Sequence, residues 1–250
     1  MTDPIRRARP PSSVRYYPEM IQGSEEWLEI RRGMMTASEL DRLLTSTLRP
    51  SKNDKARAHV WELAAQRISG YTEPQYMSYE MMKGHEAEQT VRELYADNFA
   101  PVEQCGFVTN DKFGFTLGCS PDGLVDTPDN TGGYGLIEIK TQMQRKHVQT
   151  LVEYAATGEV PAEFVLQVQG QLLVTEREWC DVLCYHGGLP MMPMRVFPDE
   201  DVQRAIIDAA SDAEVRIKRI LASYNAIDIL GTRDSKLVPT ERVVEQEMVI

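Results

Sequence analysis

The chain has 250 residues and a mass of 28.4 kDa, enough to bury roughly three quarters of its unfolded surface without a disulfide or metal staple. Charged residues make up 26% and hydrophobic residues 42%, with ordinary glycine, proline and aromatic content, which excludes collagen-like, low-complexity and wholly disordered chains. No apolar run approaches the ~18 residues of a membrane span, and the basic N-terminus has no apolar stretch behind it. The expectation is a cytoplasmic globular protein with no signal peptide and no membrane partner.

The net charge of −11 argues against a protein that coats itself with nucleic acid. The charge is unevenly spread. Residues 1–60 hold eleven Lys and Arg against eight Asp and Glu, a net of +3, which leaves −14 on the remainder. A basic entrance on an acidic body suits an enzyme that grips a phosphate at one place and gathers carboxylates, for metal ions, at another.

In chain order, residues 1–20 carry four prolines and no apolar periodicity, and read as an N-terminal arm. GSEEWLEIRRG follows, with Ser24 as N-cap, acids in the first turn, basic residues in the last and Gly33 placed to stop a short helix. Thr36 to Glu39 then fits a capping box ahead of a second short helix. Residues 54–69 and 79–99 continue with apolar positions three and four apart.

From about residue 101 the texture changes to short alternating runs, VEQCGFVT, FGFTLGCS, GLVDT and GLIEIKTQ, which predict a meander of β-hairpins. Helical periodicity returns at 146–157 and 160–175, followed by the strand-like WCDVLCYHG and MPMRVFP and a long helix from about 199 to 224. The sum is one α/β (α+β) domain over 21–227, a mixed central β-sheet flanked by helices, with a C-terminal tail over 228–250. The cysteines Cys105, Cys119, Cys180 and Cys184 include no CxxC pair and read as reduced, buried thiols. An iron–sulfur cluster is the alternative, opposed by the strand-like setting of Cys180 and Cys184.

The strongest chemical constellation is Asp122 in CSPDGLVD with Glu138 and Lys140 in GLIEIK. Residues two apart on a strand share a face, so Glu138 and Lys140 stand side by side while Ile137 and Ile139 enter the core. If Asp122 ends the preceding hairpin strand, two carboxylates and an ammonium converge. Such a set can hold Mg²⁺ through Asp122, Glu138 and the intervening Ile139 carbonyl, with Lys140 easing deprotonation of a water. That is the chemistry of phosphodiester hydrolysis. Each piece alone has a plainer reading: Ser-Pro-Asp-Gly is a good type I turn, and Ile-Glu-Ile-Lys an amphipathic strand. The four histidines form no ligand pattern, which argues against zinc.

Asp122 followed by Glu138-Ile139-Lys140, with Pro121 directly before the aspartate, resembles the PD-(D/E)xK nuclease signature. QGSEEWLEIRRGMMTASEL, KGHEAE, GCSPDGL, LIEIK and LQVQGQLLVT, in this order from about Gln22 to about Phe197, resemble the phage lambda exonuclease-like, or viral recombinase, family. The resemblance implies a restriction-endonuclease-like core. It also implies an Mg²⁺-dependent exonuclease that digests linear double-stranded DNA ends 5′ to 3′, releases mononucleotides and leaves a 3′ single strand for recombination by annealing.

It further implies two Mg²⁺ ions, with Mn²⁺ able to substitute, a homotrimeric ring, a single-strand annealing protein as partner, and a phage or prophage origin. Residue by residue, it carries Glu88 and Gln167 to positions beside the metal centre. Arg31, Ser38 and Ser120 fall at the 5′-phosphate site, and Arg49 is a weaker match for a DNA contact because its spacing is one residue off. On local physics alone a helix N-terminus, a hydroxyl and a guanidinium make an anion site, whereas Arg31 serves equally to complement its own helix C-terminus. Rival readings are an endonuclease or nickase of the same superfamily, and a non-catalytic DNA-end-binding adaptor.

Overall fold

A computed structural model describes residues 13–73, 79–127, 132–229 and 240–242, with the side chains of 79–86 outside that description. Most of the expected arm and tail, and the side chains of Glu80 and Glu86, therefore lie outside the described residues.

Among the described residues eight strands form two sheets. The first has the order β1-β3-β4-β2, from Val14–Tyr17 (β1), Met35–Thr36 (β2), Phe107–Asn110 (β3) and Leu117–Cys119 (β4). The second runs β5-β6-β7-β8, from Gly123–Val125 (β5), Gly135–Thr141 (β6), Trp179–Tyr185 (β7) and Met192–Val196 (β8). The mixed α/β class expected from the sequence is what the chain adopts, with β6 and β7 parallel and their outer neighbours antiparallel.

Two local expectations are corrected. The runs after residue 101 are not one meander. The chain leaves the first sheet after Cys119 and enters the second at Gly123, so Ser120-Pro121-Asp122 is a crossing between sheets. Within the expected arm, Val14–Tyr17 is a strand paired antiparallel to β3. Val-Arg-Tyr-Tyr has the β-branched and aromatic content of a strand, a signal too short to show periodicity.

Among the described residues six α-helices flank the sheets: Glu25–Arg31 (α1), Asp54–Ser69 (α2), Tyr79–Asn98 (α3), Gln144–Tyr154 (α4), Ala162–Thr175 (α5) and Glu200–Ile229 (α6). Ser24 caps α1 as expected, its Oγ accepting from Trp27 N at 3.3 Å. The second short helix is a six-residue 3₁₀ helix, Ala37–Arg42, and Thr36 makes no capping bond to its backbone. Thr36 Oγ1 donates to the Glu39 carboxylate at 3.0 Å, so the two capping-box side chains bond to each other.

Helix α5 is the pivot of the fold. Every residue from Val168 to Thr175 is buried, as befits a helix enclosed on all sides. Its Gly170 lets it approach the 3₁₀ helix, since a Cβ there would stand 2.5 Å from Leu40 Cδ1 and 3.1 Å from Ala37 Cβ. On the opposite side of the second sheet, α3 contributes Val91 and Tyr95 to a separate core with Ile137, Ile139, Trp179 and Leu183.

The alternation of β6 thus sends Ile137 and Ile139 toward α3, and Glu138 and Lys140 toward α5. Beneath this strand a buried polar knot fixes β7. Asp181 accepts two bonds from Arg195, both 2.8 Å, and one from Tyr95 Oη at 2.6 Å. All four cysteines are buried free thiols. Among the described residues no helix is long and apolar enough to cross a membrane.

Candidate active site

The antiparallel pairing of β5 with β6 sets Gly123 opposite Ile137, which brings Asp122 alongside Glu138 and Ile139. Asp122 Oδ2 accepts the Ile139 N–H at 2.6 Å. Glu138 is 3% exposed, and each of its oxygens is bonded. Its Oε1 accepts from Lys140 Nζ at 2.7 Å and from Gln167 Nε2 at 2.6 Å, and its Oε2 from Gln171 Nε2 at 2.6 Å. Lys140 Nζ also donates to Gln167 Oε1 at 2.7 Å, closing a three-membered ring of hydrogen bonds, and lies 5.4 Å from the Phe164 ring centroid.

The electrostatics follow from this crowding. Burial, then the Glu138 charge, pushes the Asp122 carboxyl well above the usual carboxylate range, with Glu88 adding to the rise. The Ile139 N–H and Lys140 pull the other way. For Lys140, burial lowers the pKa, but the charge and hydrogen bond of Glu138 outweigh it and the ammonium is held above its ordinary value. Lys140 is therefore a fixed cation.

Glu88, on α3, pairs with Arg92 at 3.6 Å, and Arg92 Nη1 donates to the Asp122 carbonyl at 3.3 Å. The centre draws on β5, β6, α3 and α5 together.

A second cluster adjoins it. Arg31 stacks on Trp27, its Cζ 4.0 Å from the ring centroid, and Arg31 Nη2 donates to Thr36 Oγ1 at 3.4 Å. Ser38 Oγ lies 3.3 Å from the same Thr36 hydroxyl. Trp27 Nε1 donates to Ser120 Oγ at 3.0 Å, two residues before Asp122. Burial lowers the pKa of Arg31, and Glu39 opposes that.

Arg31, Ser38 and Ser120 are thus neighbours of one another through Trp27 and Thr36. The helix-dipole part of the expected anion site is weak, because Ala37–Arg42 is a 3₁₀ helix of six residues; the guanidinium and hydroxyls remain. Arg49 is not gathered in. It is exposed in the loop between Leu44 and Pro50, with its N–H bonded to Thr45 Oγ1 at 3.1 Å.

Sequence reasoning missed Gln171, Trp27, Thr36 and Arg92. Gln171 had a signal, since it lies four residues after Gln167 and so shares a helix face with it. Trp27 and Arg92 meet Ser120 and Asp122, which are far away in the sequence, whereas the partners of Thr36 are its near neighbours Arg31, Ser38 and Glu39.

Among the described residues no three His, Cys, Asp or Glu side chains converge as a ready-made metal cluster. The centre offers two carboxylates and the main-chain carbonyl of Ile139, whose N–H is committed to Asp122. All are hard oxygen donors, the set that Mg²⁺ and Mn²⁺ prefer. The mutual repulsion that raises the Asp122 pKa is what a cation between the carboxylates would relieve. The residues fit a divalent ion.

Residues 26–178 match the family described as the YqaJ-like viral recombinase domain. Among solved structures, the chain is similar to an alkaline exonuclease, LHK-Exo, from Laribacter hongkongensis. The identity is 27% and the TM-score 0.65, over 82% of this chain and 100% of that one. The same enzyme in complex with dAMP matches at 28% identity and TM-score 0.65, with the same coverage. A phage-related exonuclease from Haemophilus somnus 129PT shares the fold, at 13% identity and TM-score 0.53 over 76% of this chain and 96% of that one. No curated protein matches.

Proposed function

Because the chain belongs to the YqaJ-like viral recombinase family, as its lambda exonuclease-like motifs implied, we propose that it is a metal-dependent exonuclease acting on linear double-stranded DNA. It digests 5′ to 3′, releases mononucleotides and leaves a 3′ single strand for recombination by annealing. The supporting observation is the bonded set of Asp122 with Ile139, and of Glu138 with Lys140 and Gln167. The similar LHK-Exo has been seen with dAMP, a mononucleotide of the class released here.

Asp122, Glu138 and the Ile139 carbonyl would hold two Mg²⁺ ions, for which Mn²⁺ can substitute. When bound, the ions supply Lewis-acid stabilisation of charge on the phosphodiester. The protein does the rest by positioning. Lys140, fixed between Glu138 Oε1 and Gln167 Oε1, presents an ammonium N–H that orients the attacking water and favours its deprotonated form. Gln167 fixes the direction of that ammonium. Glu88, held by Arg92, adds negative potential beside Asp122.

Arg31, Ser38 and Ser120 take the 5′-terminal phosphate, and the covalent link from Ser120 to Asp122 places the first phosphodiester over the carboxylates. Direction of digestion follows from that adjacency. Arg49, exposed and cationic, touches the DNA backbone further out.

The working unit is a homotrimeric ring built from single nuclease domains of about residues 21–227, acting beside a single-strand annealing protein in the cytoplasm of a bacterial host. A ring tolerates the −11 net charge provided its channel is basic.

The test is digestion of a linear duplex with a 5′-phosphate, against its 5′-hydroxyl counterpart and a closed circle, in Mg²⁺ or EDTA, with Lys140→Ala as control. The expected result is mononucleotide release from the phosphorylated linear end, lost in EDTA and in the variant. Cutting of the circle would replace the exonuclease with an endonuclease. Metal-dependent binding without any cutting would leave a DNA-end adaptor.

A further inference from the structure

Helices α2 and α6 pack side by side and leave an open cleft of about 290 Å³ between them, lined by Arg57, Val60, Trp61, Arg216, Arg219 and Ile220. Its residues fall one helical turn apart on each helix, which puts them on two facing surfaces. None belongs to the acidic centre or to the phosphate cluster.

The floor is apolar. Val60 is 2% exposed, while Trp61 stands at the rim with 60% of its surface in solvent. Three guanidinium groups surround this apolar patch. Among the described residues Arg57 pairs with the exposed Asp54, at 3.4 Å, a pairing that solvent screens to little. Arg216 is steered into the cleft by the Ser51 carbonyl at 3.3 Å and by Asp212 at 3.5 Å. Among the described residues Arg219 forms no ion pair. On a chain of net charge −11, three arginines against the aspartates Asp54 and Asp212 leave a local excess of positive charge around an exposed indole.

We propose that this cleft docks a short acidic segment of a partner protein, one apolar side chain entering beside Trp61 and flanking carboxylates lying on Arg57, Arg216 and Arg219. The chemistry is complementary at each point. The arginine fork matches a carboxylate with two parallel bonds, and tryptophan and arginine are both enriched among the residues that anchor protein interfaces. The acidic body repels an acidic peptide elsewhere and so directs it to this site. A nucleic-acid strand fits less well. A single indole offers one stacking platform where successive bases need several.

The experiment is fluorescence polarisation with the full chain and three labelled probes. These are the peptide Glu-Asp-Leu-Phe-Glu-Asp, the same peptide with lysine in place of every acid, and a short single-stranded oligonucleotide. The acidic peptide is expected to bind saturably and more weakly as salt rises, and the lysine peptide not at all. Arg219→Glu and Trp61→Ala should each weaken binding at least tenfold. Both side chains are at the surface, so the variants keep the fold, which a thermal melt verifies, and both should digest DNA as the parent does. Failure here therefore leaves the nuclease reading untouched. The proposal is overturned if the acidic peptide does not bind or binds both variants as well as the parent. It is equally overturned if the oligonucleotide is the probe whose binding Arg219→Glu abolishes, which would make the cleft a nucleic-acid surface.

Discussion

The indole N–H of Trp27 donates to Ser120 Oγ at 3.0 Å across 93 positions of sequence, and this bond ties helix α1 to the segment that delivers Asp122. The same indole carries the Arg31 guanidinium on its face. One side chain therefore sets the distance between the cluster assigned to the terminal phosphate and the acidic centre.

Trp27→Phe keeps the ring under Arg31 but removes the bond to Ser120. The expected outcome is a folded protein whose preference for 5′-phosphorylated over 5′-hydroxyl ends narrows about tenfold, since one positioning bond is worth about 1.4 kcal/mol at that ratio. Initial rates on the two duplexes check it.

Gln171 supplies the donor to Glu138 Oε2 in a setting that is 1% exposed. Replacing it with leucine leaves one oxygen of a buried carboxylate without a protein partner, at a cost of about 1–3 kcal/mol. Urea unfolding should show this as a lower midpoint with an unchanged slope. Gln171→Glu sets a second carboxylate against Glu138, and should be the more destabilising at neutral pH.

Asp122 is a site where activity and stability oppose each other. Its carboxyl is raised by burial and by Glu138, so the fold favours the protonated form and loses stability as pH climbs from the ordinary carboxylate range through the raised value. Asp122→Asn should abolish digestion yet raise the Tm by a few degrees at pH 8, with a smaller gain near pH 4.5. Melting curves of parent and variant at the two pH values test the sign.

Far from the chemistry, Arg67 clamps the bundle. It grips Glu214 with bonds of 2.9 and 2.8 Å and donates to the Gly33 carbonyl at 2.7 Å, joining α2, α6 and the turn that ends α1. Glu214→Ala strands the guanidinium in a half-buried site and should cost about 2–4 kcal/mol, visible as a fall of roughly 5–15 °C in Tm.

The cysteines contribute to the alkaline limb. Burial raises all four thiols, with Cys184 pushed up to about 11. In the unfolded chain they ionise near their ordinary value, so the unfolded state holds fewer protons from about pH 9 upward and stability falls as pH rises through that window. Thiol titration with a disulfide reagent at pH 8 should find no reactive cysteine until the protein is unfolded.

Local signals reached a definite depth. The alternation of Leu136-Ile137-Glu138-Ile139-Lys140 put Glu138 and Lys140 on one face, and Ser-Pro-Asp-Gly marked the approach of Asp122; the structure brings the three together. Where the reading went astray, the competing force was tertiary. Thr36 abandons its backbone cap because Glu39 and Arg31 compete for its hydroxyl, and the expected meander divides because β4 and β5 pair with partners in different sheets.

The sequence by itself determined the α/β class, the carboxylate–carboxylate–lysine set and the family, because strand period, turn chemistry and motif order are properties of neighbouring residues. Only the tertiary structure decided that Gln167 and Gln171 complete the bonding of Glu138, that Trp27 joins the two clusters, and that α2 and α6 leave a cationic cleft. Those contacts unite elements dozens of residues apart. The glutamine contacts exist because packing α5 against the second sheet makes its inward polar side chains find partners on β6, and no periodicity along the chain records which partners those are.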